Sequence, residues 1–279
     1  MRILSNNIWF RDDNAPAWEA HGEDCSAEAR APGFVRTYCE LLPDLIGLQE
    51  CSAKMASLIM QGLAEKGERY ALLWGRDTPI LYRPDRFELI DSAFRIYPDE
   101  VPGFEGSFNN QKTKSYCIAV LREKESGKVL IFASTHLWWK SANPAVKNYQ
   151  AGSDEARTYQ IGLLMDHVDI FREKYGCPAV IVGDFNATPS SQALQSAYAR
   201  GYLHAHDIAV EYADERNGHH FCFAEGYDFY EAPRSFAASI DQWICIGAPE
   251  GFVRRFDRHT PDYYMPLSDH FPMWADVQL

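Results

Sequence analysis

The chain has 279 residues, of which 46% are apolar and 14% aromatic, enough to fill a large core without covalent staples and too many for a disordered chain. A formal net charge of −12 repels nucleic-acid phosphates and anionic membranes at long range, which disfavours non-specific polyanion binding. Carboxylates gathered around a cation would contribute to the same balance.

The length fits one domain over residues 1–279, of the large-sandwich or α/β-barrel kind. Seven cysteines (Cys25, Cys39, Cys51, Cys117, Cys177, Cys222 and Cys245) show no C-x-x-C spacing, which predicts a reduced compartment. Cys117 and Cys245 sit in apolar runs and read as small buried hydrophobes. The N-terminus enters the apolar stretch Met1-Arg-Ile-Leu-Ser-Asn-Asn-Ile at once, without the layout of a secretory signal. No apolar run approaches the ~18 residues of a membrane span. The expectation is a soluble, cytoplasmic protein with no membrane anchor; nothing in the sequence identifies a protein partner.

In chain order, β-branched and aromatic runs predict strands at residues 3–8, 45–48, 70–74, 80–83, 87–90, 116–122, 129–135, 179–182, 240–246 and 273–277. Helical spacing of Met55, Leu58, Ile59 and Leu63 predicts a helix between Ser52, a potential N-cap, and Gly67, a potential C-terminal stop. Ile161, Leu164, Val168 and Phe171 predict another over residues 154–175, and a third follows Pro189 over residues 190–200. Residues 11–32, 99–114, 138–153 and 210–238 break both periodicities and read as long loops. Clustered strands interleaved with helices suggest two sheets packed face to face with helices outside, an α/β sandwich.

Several apolar runs end in a polar residue. Ala179-Val-Ile-Val-Gly-Asp-Phe-Asn delivers Asp184 and Asn186 two positions apart, on one face if the strand continues. A carboxylate there can orient water and an amide can hold a phosphoryl oxygen, although Gly-Asp-x-Asn alone is more often a turn. Asp44-Leu-Ile-Gly-Leu-Gln-Glu ends in Glu50, a hard oxygen ligand suited to Mg²⁺ or, more blandly, an acid at a helix entry. The run from Val129 ends in His136, which could stabilise a leaving oxygen. Leu267-Ser-Asp-His supplies Asp269 and His270, and Ser239-Ile-Asp supplies Asp241, able to orient an imidazole. His204 with His206, and His219-His220, read as structural or solvated.

Taken in order, Asn7 in Ser-Asn-Asn-Ile, Gly47-Leu-Gln-Glu, Thr135-His-Leu, Gly183-Asp-Phe-Asn, Ile240-Asp-Gln-Trp and Ser268-Asp-His resemble the endonuclease/exonuclease/phosphatase superfamily. The resemblance spans nearly the whole chain and implies a four-layer α/β sandwich of two mixed sheets. It also implies a metal-dependent hydrolase of P–O bonds using Mg²⁺ or Mn²⁺. Glu50 then resembles the principal metal ligand, with Asn7 and Asp269 beside it; Asp184 and Asn186 resemble the pair that orients water and holds phosphate. His270 with Asp241 resembles the paired imidazole and carboxylate, and His136 the histidine opposite, which leans away from the apurinic-site branch. Arg157 and Gln160 resemble an Arg-x-x-Gln that opens the following helix in related members; salt-bridged support is the favoured role of Arg157, with substrate contact as the alternative.

Substrate is the open question, because such folds serve many phosphoesters. The acidic charge and the lack of a dense Lys/Arg cluster favour a small soluble phosphodiester or phosphomonoester over DNA or RNA. A nuclease is the alternative, and an inactive binding module of the same fold a second. Trp139 in Trp138-Trp-Lys-Ser and Tyr227 in Phe221-Cys-Phe-Ala-Glu-Gly-Tyr could wall a substrate pocket or merely cover a sheet edge.

Overall fold

The computed structural model describes residues 1–212 and 239–279. Among these, the strands form two mixed sheets. The first runs edge to edge as β10 (Glu211–Tyr212), β12 (Val253–Arg258), β13 (Met273–Val277), β1 (Arg2–Asn7), β2 (Leu45–Gln49), β4 (Ile80–Tyr82) and β3 (Ala71–Leu73). The second runs as β5 (Phe87–Ile96), β6 (Ser115–Glu123), β7 (Val129–His136), β8 (Ala179–Asp184), β11 (Asp241–Ile246) and β9 (Leu203–His204).

Strand alternation assigns each side chain to one of three apolar layers. Ile3, Leu45, Ala119, Phe132, Val180, Val182 and Trp243 meet between the sheets. Leu4, Ile46 and Leu48 face α2 (Ala27–Leu41) and α3 (Ala53–Glu65) on one outer side. Ile118, Val120, Ile131 and Ile181 face α4 (Ser153–Tyr175) and α5 (Gln192–Ala199) on the other. The result is the four-layer α/β sandwich expected from the sequence. Phe132 and Trp243 are fully buried mid-layer, so truncating either to alanine would cost about 3–5 kcal/mol.

Two glycines let this packing close. A Cβ on Gly47 would lie 2.8 Å from Val182 of the opposing sheet, and one on Gly183, at φ +149°, would lie 1.9 Å from the Thr135 carbonyl oxygen. Both precede site residues by a few positions, Gly47 at a close approach between the sheets and Gly183 at one between β7 and β8.

Register sets the site directly. In the second sheet His136 pairs with Asp184, and Asp184 with Asp241, which puts three polar side chains in one row across β7, β8 and β11. In the first sheet Asn7 pairs with Gln49, one residue short of Glu50.

Several elements differ from the expectation. Residues 11–32 are not one long loop: α1 (Pro16–Ala20) and the start of α2 lie there. Pro32 and Gly33 mask the helix in sequence, yet the Ser26 hydroxyl caps the amide of Ala29, and Phe34, Val35, Tyr38 and Leu41 are buried at helical spacing. β5 continues to Ile96 past a register shift between Leu89 and Asp91, which breaks the period-two signal. β12 also escapes the pattern, because a shift between Val253 and Arg255 and its charged outer positions dilute the alternation. The predicted loop from residue 210 begins with β10; the rest of it, with Cys222, His219, His220 and Tyr227, lies outside the described residues. Among those described, no helix is long and apolar enough to cross a membrane.

Candidate metal-dependent phosphoesterase site

β1, β2, β7, β8 and β11 bring their ends to one cleft. Asp184 lies at its centre. The Asn7 side-chain amide donates to Asp184 Oδ2 at 3.1 Å and to Glu50 Oε1 at 3.2 Å, while its own oxygen accepts from the amide of Trp9 at 3.0 Å. Asn7 as placed therefore bridges two carboxylates as a donor. Glu50 also accepts from the amide of Phe10 at 2.9 Å. Its backbone is held at φ +57°, a region costly for a non-glycine residue and frequent at functional sites.

Two imidazoles flank Asp184. His270 Nε2 lies 3.9 Å from Asp184 Oδ2 and His136 Nε2 lies 3.5 Å from it. Each ring is held from behind through Nδ1: His270 by Asp241 at 2.7 Å, and His136 by Asp77 at 2.9 Å. The neighbouring carboxylates assign the Nδ1 proton in both cases. Asp269 completes the cluster, 4.0 Å from His270 Nε2.

Electrostatics separate these groups. Burial would raise the Glu50 carboxyl, but His136, Lys114, the Phe10 amide and His270 together hold it well below the usual range. Asp269 goes the other way, to about 6: burial raises it and the facing Glu50 and Asp184 add to this, against the pull of His270. Burial disfavours the His270 cation, yet Asp241, Asp269 and Asp184 outweigh it and raise its pKa well above the ordinary value. Carboxylates crowded together offer hard oxygen donors, which suits Mg²⁺ or Mn²⁺. Glu50 and Asp184 with His136, and Asp184 with Asp241 and His270, bring ligand atoms within 4.8 Å of one another.

A cavity of about 800 Å³ opens on the His136 side, touching Glu50, Asp77, Lys114 and His136 and walled by residues of the 99–114 and 138–153 loops. Trp138 is buried against Phe108, at 4% exposure, whereas Trp139 is 48% exposed and lines the cavity. The tryptophan pair thus divides between core and wall.

Other sequence candidates fall elsewhere. Arg157 does not reach the cavity: its guanidinium is buried and bonded to the carbonyls of Trp138 and Lys140 and to Asp154, so it anchors the 138–153 loop instead of meeting substrate. Gln160 supports the same loop by accepting from the Trp138 amide. Asn186 lies past the end of β8, at φ +49°, with its amide on the Leu137 carbonyl. The alternation that would put it on the face of Asp184 stops at the strand end. His204 bonds Gln242 at 2.8 Å, and its ring lies 6.5 Å from that of His206.

Three buried residues of the site region were not singled out in the sequence. Asp77 lies in the turn before β4, and Lys114 directly precedes β6; neither position carries a pattern. Arg30 lies inside α2, 2% exposed, and donates to the carbonyls of Ile8, Trp9, Arg11, Cys25 and Leu267. That clamps the segment after β1 to the turn carrying Asp269 and His270. Burial pulls its pKa down to about 10, low for arginine and still cationic at neutral pH.

The model of the Endonuclease/Exonuclease/phosphatase family matches residues 7–270. The chain belongs to this family. It is a hydrolase of the phosphoester-cleaving class. Over 230 residues it is 26% identical to the CCR4-Not complex 3'-5'-exoribonuclease subunit Ccr4 of Debaryomyces hansenii, covering 71% of this chain and 27% of that protein; the chain thus spans about a quarter of that relative's length. A family structure from Bacteroides vulgatus superposes with a TM-score of 0.73 at 22% identity, over 100% of this chain and 98% of the other. The mannosyl-6-phosphatase of Bacteroides thetaiotaomicron gives a TM-score of 0.73 at 19% identity, with both chains covered in full. At these identities the two structures speak for the fold alone.

Proposed function

We propose that the protein hydrolyses a small soluble phosphodiester or phosphomonoester with one bound Mg²⁺ or Mn²⁺, the whole described cleft acting as one catalytic unit. The observation that carries this reading is the central Asp184 between two imidazoles, each backed by its own carboxylate. An inactive binding module has no use for two such pairs.

In this reading Glu50 and Asp269 hold the ion, with Asn7 fixing the Glu50 carboxylate. The bound ion would supply Lewis-acid charge at a non-bridging phosphoryl oxygen. Asp184 orients the attacking water and accepts its proton. His270, held by Asp241 and cationic at neutral pH, faces the negative charge that grows on the phosphoryl group. His136, held by Asp77, serves the departing oxygen through Lys114, whose ammonium it positions by accepting at Nε2. Asn186 stands beside Asp184 as a phosphate contact.

The walled cavity favours a compact substrate that reaches the cleft from the His136 side, with Trp139 as a ring-stacking wall. Tyr227 is proposed as a second aromatic wall from sequence alone. One observation supports a nuclease instead: Phe10 is 55% exposed at the same mouth as Trp139, so two rings are available to stack bases, and a relative at 26% identity is named an exoribonuclease. Initial rates against sugar phosphates, nucleotides, a generic aryl phosphodiester, oligoribonucleotides and oligodeoxynucleotides, with Mg²⁺, Mn²⁺ or EDTA, decide between them. Turnover of small esters that EDTA abolishes is the expected result; preference for long oligonucleotides supports the nuclease, and no turnover of any substrate overturns both.

A further inference from the structure

Lys114 is 5% exposed, and its ammonium contacts the His136 ring at Nε2. Its position is fixed before the side chain begins: the Asn109 side chain accepts from the Lys114 amide at 2.9 Å and donates to its carbonyl at 2.8 Å. Asn109 also donates to the Tyr97 carbonyl at 2.8 Å, tying the loop to the end of β5. Burial penalises the cation and lowers its pKa below the ordinary value, with Glu50, Asp77 and Asp184 opposing this in part. An ammonium buried against an imidazole ring is expensive without a role, since unpaired burial of charge is among the costliest arrangements in a protein.

The geometry of His136 shows what that role excludes. Its Nδ1 is bonded to Asp77, so Nε2 carries the lone pair that a metal would need, and Lys114 already donates to it. Two-metal phosphoesterases place their ions about 3.5–4 Å apart. Here the second position would lie among Glu50, His136 and Asp184, and its imidazole nitrogen is the one that the ammonium already contacts. On the opposite flank the Glu50–Asp269 side has no lysine or arginine side chain bonded to it among the described residues.

Resting on the metal-dependent reading above, we propose that Lys114 is a built-in cation standing where a second divalent ion would bind, so that the cleft takes a single ion on the Glu50–Asp269 side. Its remaining N–H donors face the cavity through which substrate enters, where they meet a phosphoryl or leaving oxygen. The lysine thereby replaces an exchangeable dication with a fixed charge.

Counting bound Mn²⁺ tests this without reference to turnover. The EDTA-stripped protein is titrated with Mn²⁺ by calorimetry, and the loaded form is examined by electron paramagnetic resonance for coupling between neighbouring ions. One uncoupled ion per wild-type chain is expected, two coupled ions in Lys114→Met, and one again in Lys114→Arg. A coupled pair in the wild type overturns the proposal, and that measurement needs no variant. One ion in both wild type and a folded Lys114→Met, or Lys114→Gln if methionine prevents folding, also overturns it while leaving the metal-dependent reading intact. No Mn²⁺ bound to the wild type overturns both.

Discussion

The two flanks of Asp184 are built alike and differ in what lies beyond the ring. On one, Asp241 backs His270 and the imidazole looks toward Asp269; on the other, Asp77 backs His136 and the imidazole meets Lys114. Adding a carboxylate beyond the ring makes an imidazolium favourable, whereas adding an ammonium caps the free nitrogen. A shared motif therefore yields one flank where carboxylates surround the imidazole and another where a lysine ammonium meets it beside the cavity. What distinguishes them is the third residue, not the histidine–aspartate pair.

Glu50 serves both flanks, so its loss should erase the distinction and produce the largest effect. Glu50→Gln is expected to lower metal-supported turnover on the order of 10³-fold, with Mn²⁺ affinity falling in parallel by titration; unchanged affinity would mark Glu50 as only a helix-entry acid.

The His270 flank comes next. His270→Ala and Asp241→Asn should each lower kcat roughly 10²-fold, and the double variant should lose far less than the product, because the pair acts as a unit. Multiplicative losses would break the pairing. The same pair sets a pH dependence. Because His270 is raised above the ordinary imidazole value of about 6.5, its contribution to stability is fully present below that value and is lost as pH rises through the raised folded value. The melting-temperature gap between wild type and Asp241→Asn, measured in EDTA, should thus be widest in mild acid and shrink in alkali.

On the lysine flank, His136→Ala should cost roughly tenfold in kcat with an alkyl leaving group and almost nothing with nitrophenolate, which needs no help in departing. Equal losses with both substrates would move His136 away from the leaving oxygen. The smallest effect belongs to the cavity wall: Trp139→Ala should raise KM roughly three- to tenfold with unchanged melting temperature, while Trp138→Ala, in the core, lowers melting temperature instead.

The sequence made legible what strands make regular. Glu50, His136, Asp184 and Asp241 each end or begin an apolar run; the register of β7, β8 and β11 makes the last three adjacent, and Glu50 meets them from the end of β2. Asn7, Asp269 and His270 enter the same cleft from the strand ends of the other sheet. Asp77, Lys114 and Arg30 stayed hidden because a turn acid, a loop lysine and a helix arginine are ordinary at the surface; only burial makes them unusual, and burial is a property of the assembled fold. Asn186 was misplaced for a related reason, since alternation predicts a face only while the strand lasts. Arg157 takes the salt-bridged supporting role, paired with Asp154, while the carbonyls of Trp138 and Lys140 that fill its other donors leave no mark in sequence.

Arg30 also ties the cleft to the order in which the chain is made. Its donors join carbonyls near residue 10 to one at Leu267, and β1 pairs with β13. During synthesis, Asn7 and Glu50 emerge long before Asp269 and His270 exist, and contacts across such a separation form slowly. Until β13 docks, Glu50 faces water with half its neighbours missing and Arg30 has no distant carbonyl to hold. A growing chain of this protein therefore carries one part of the cleft without the other, and the cleft is complete only once β13 lies beside β1.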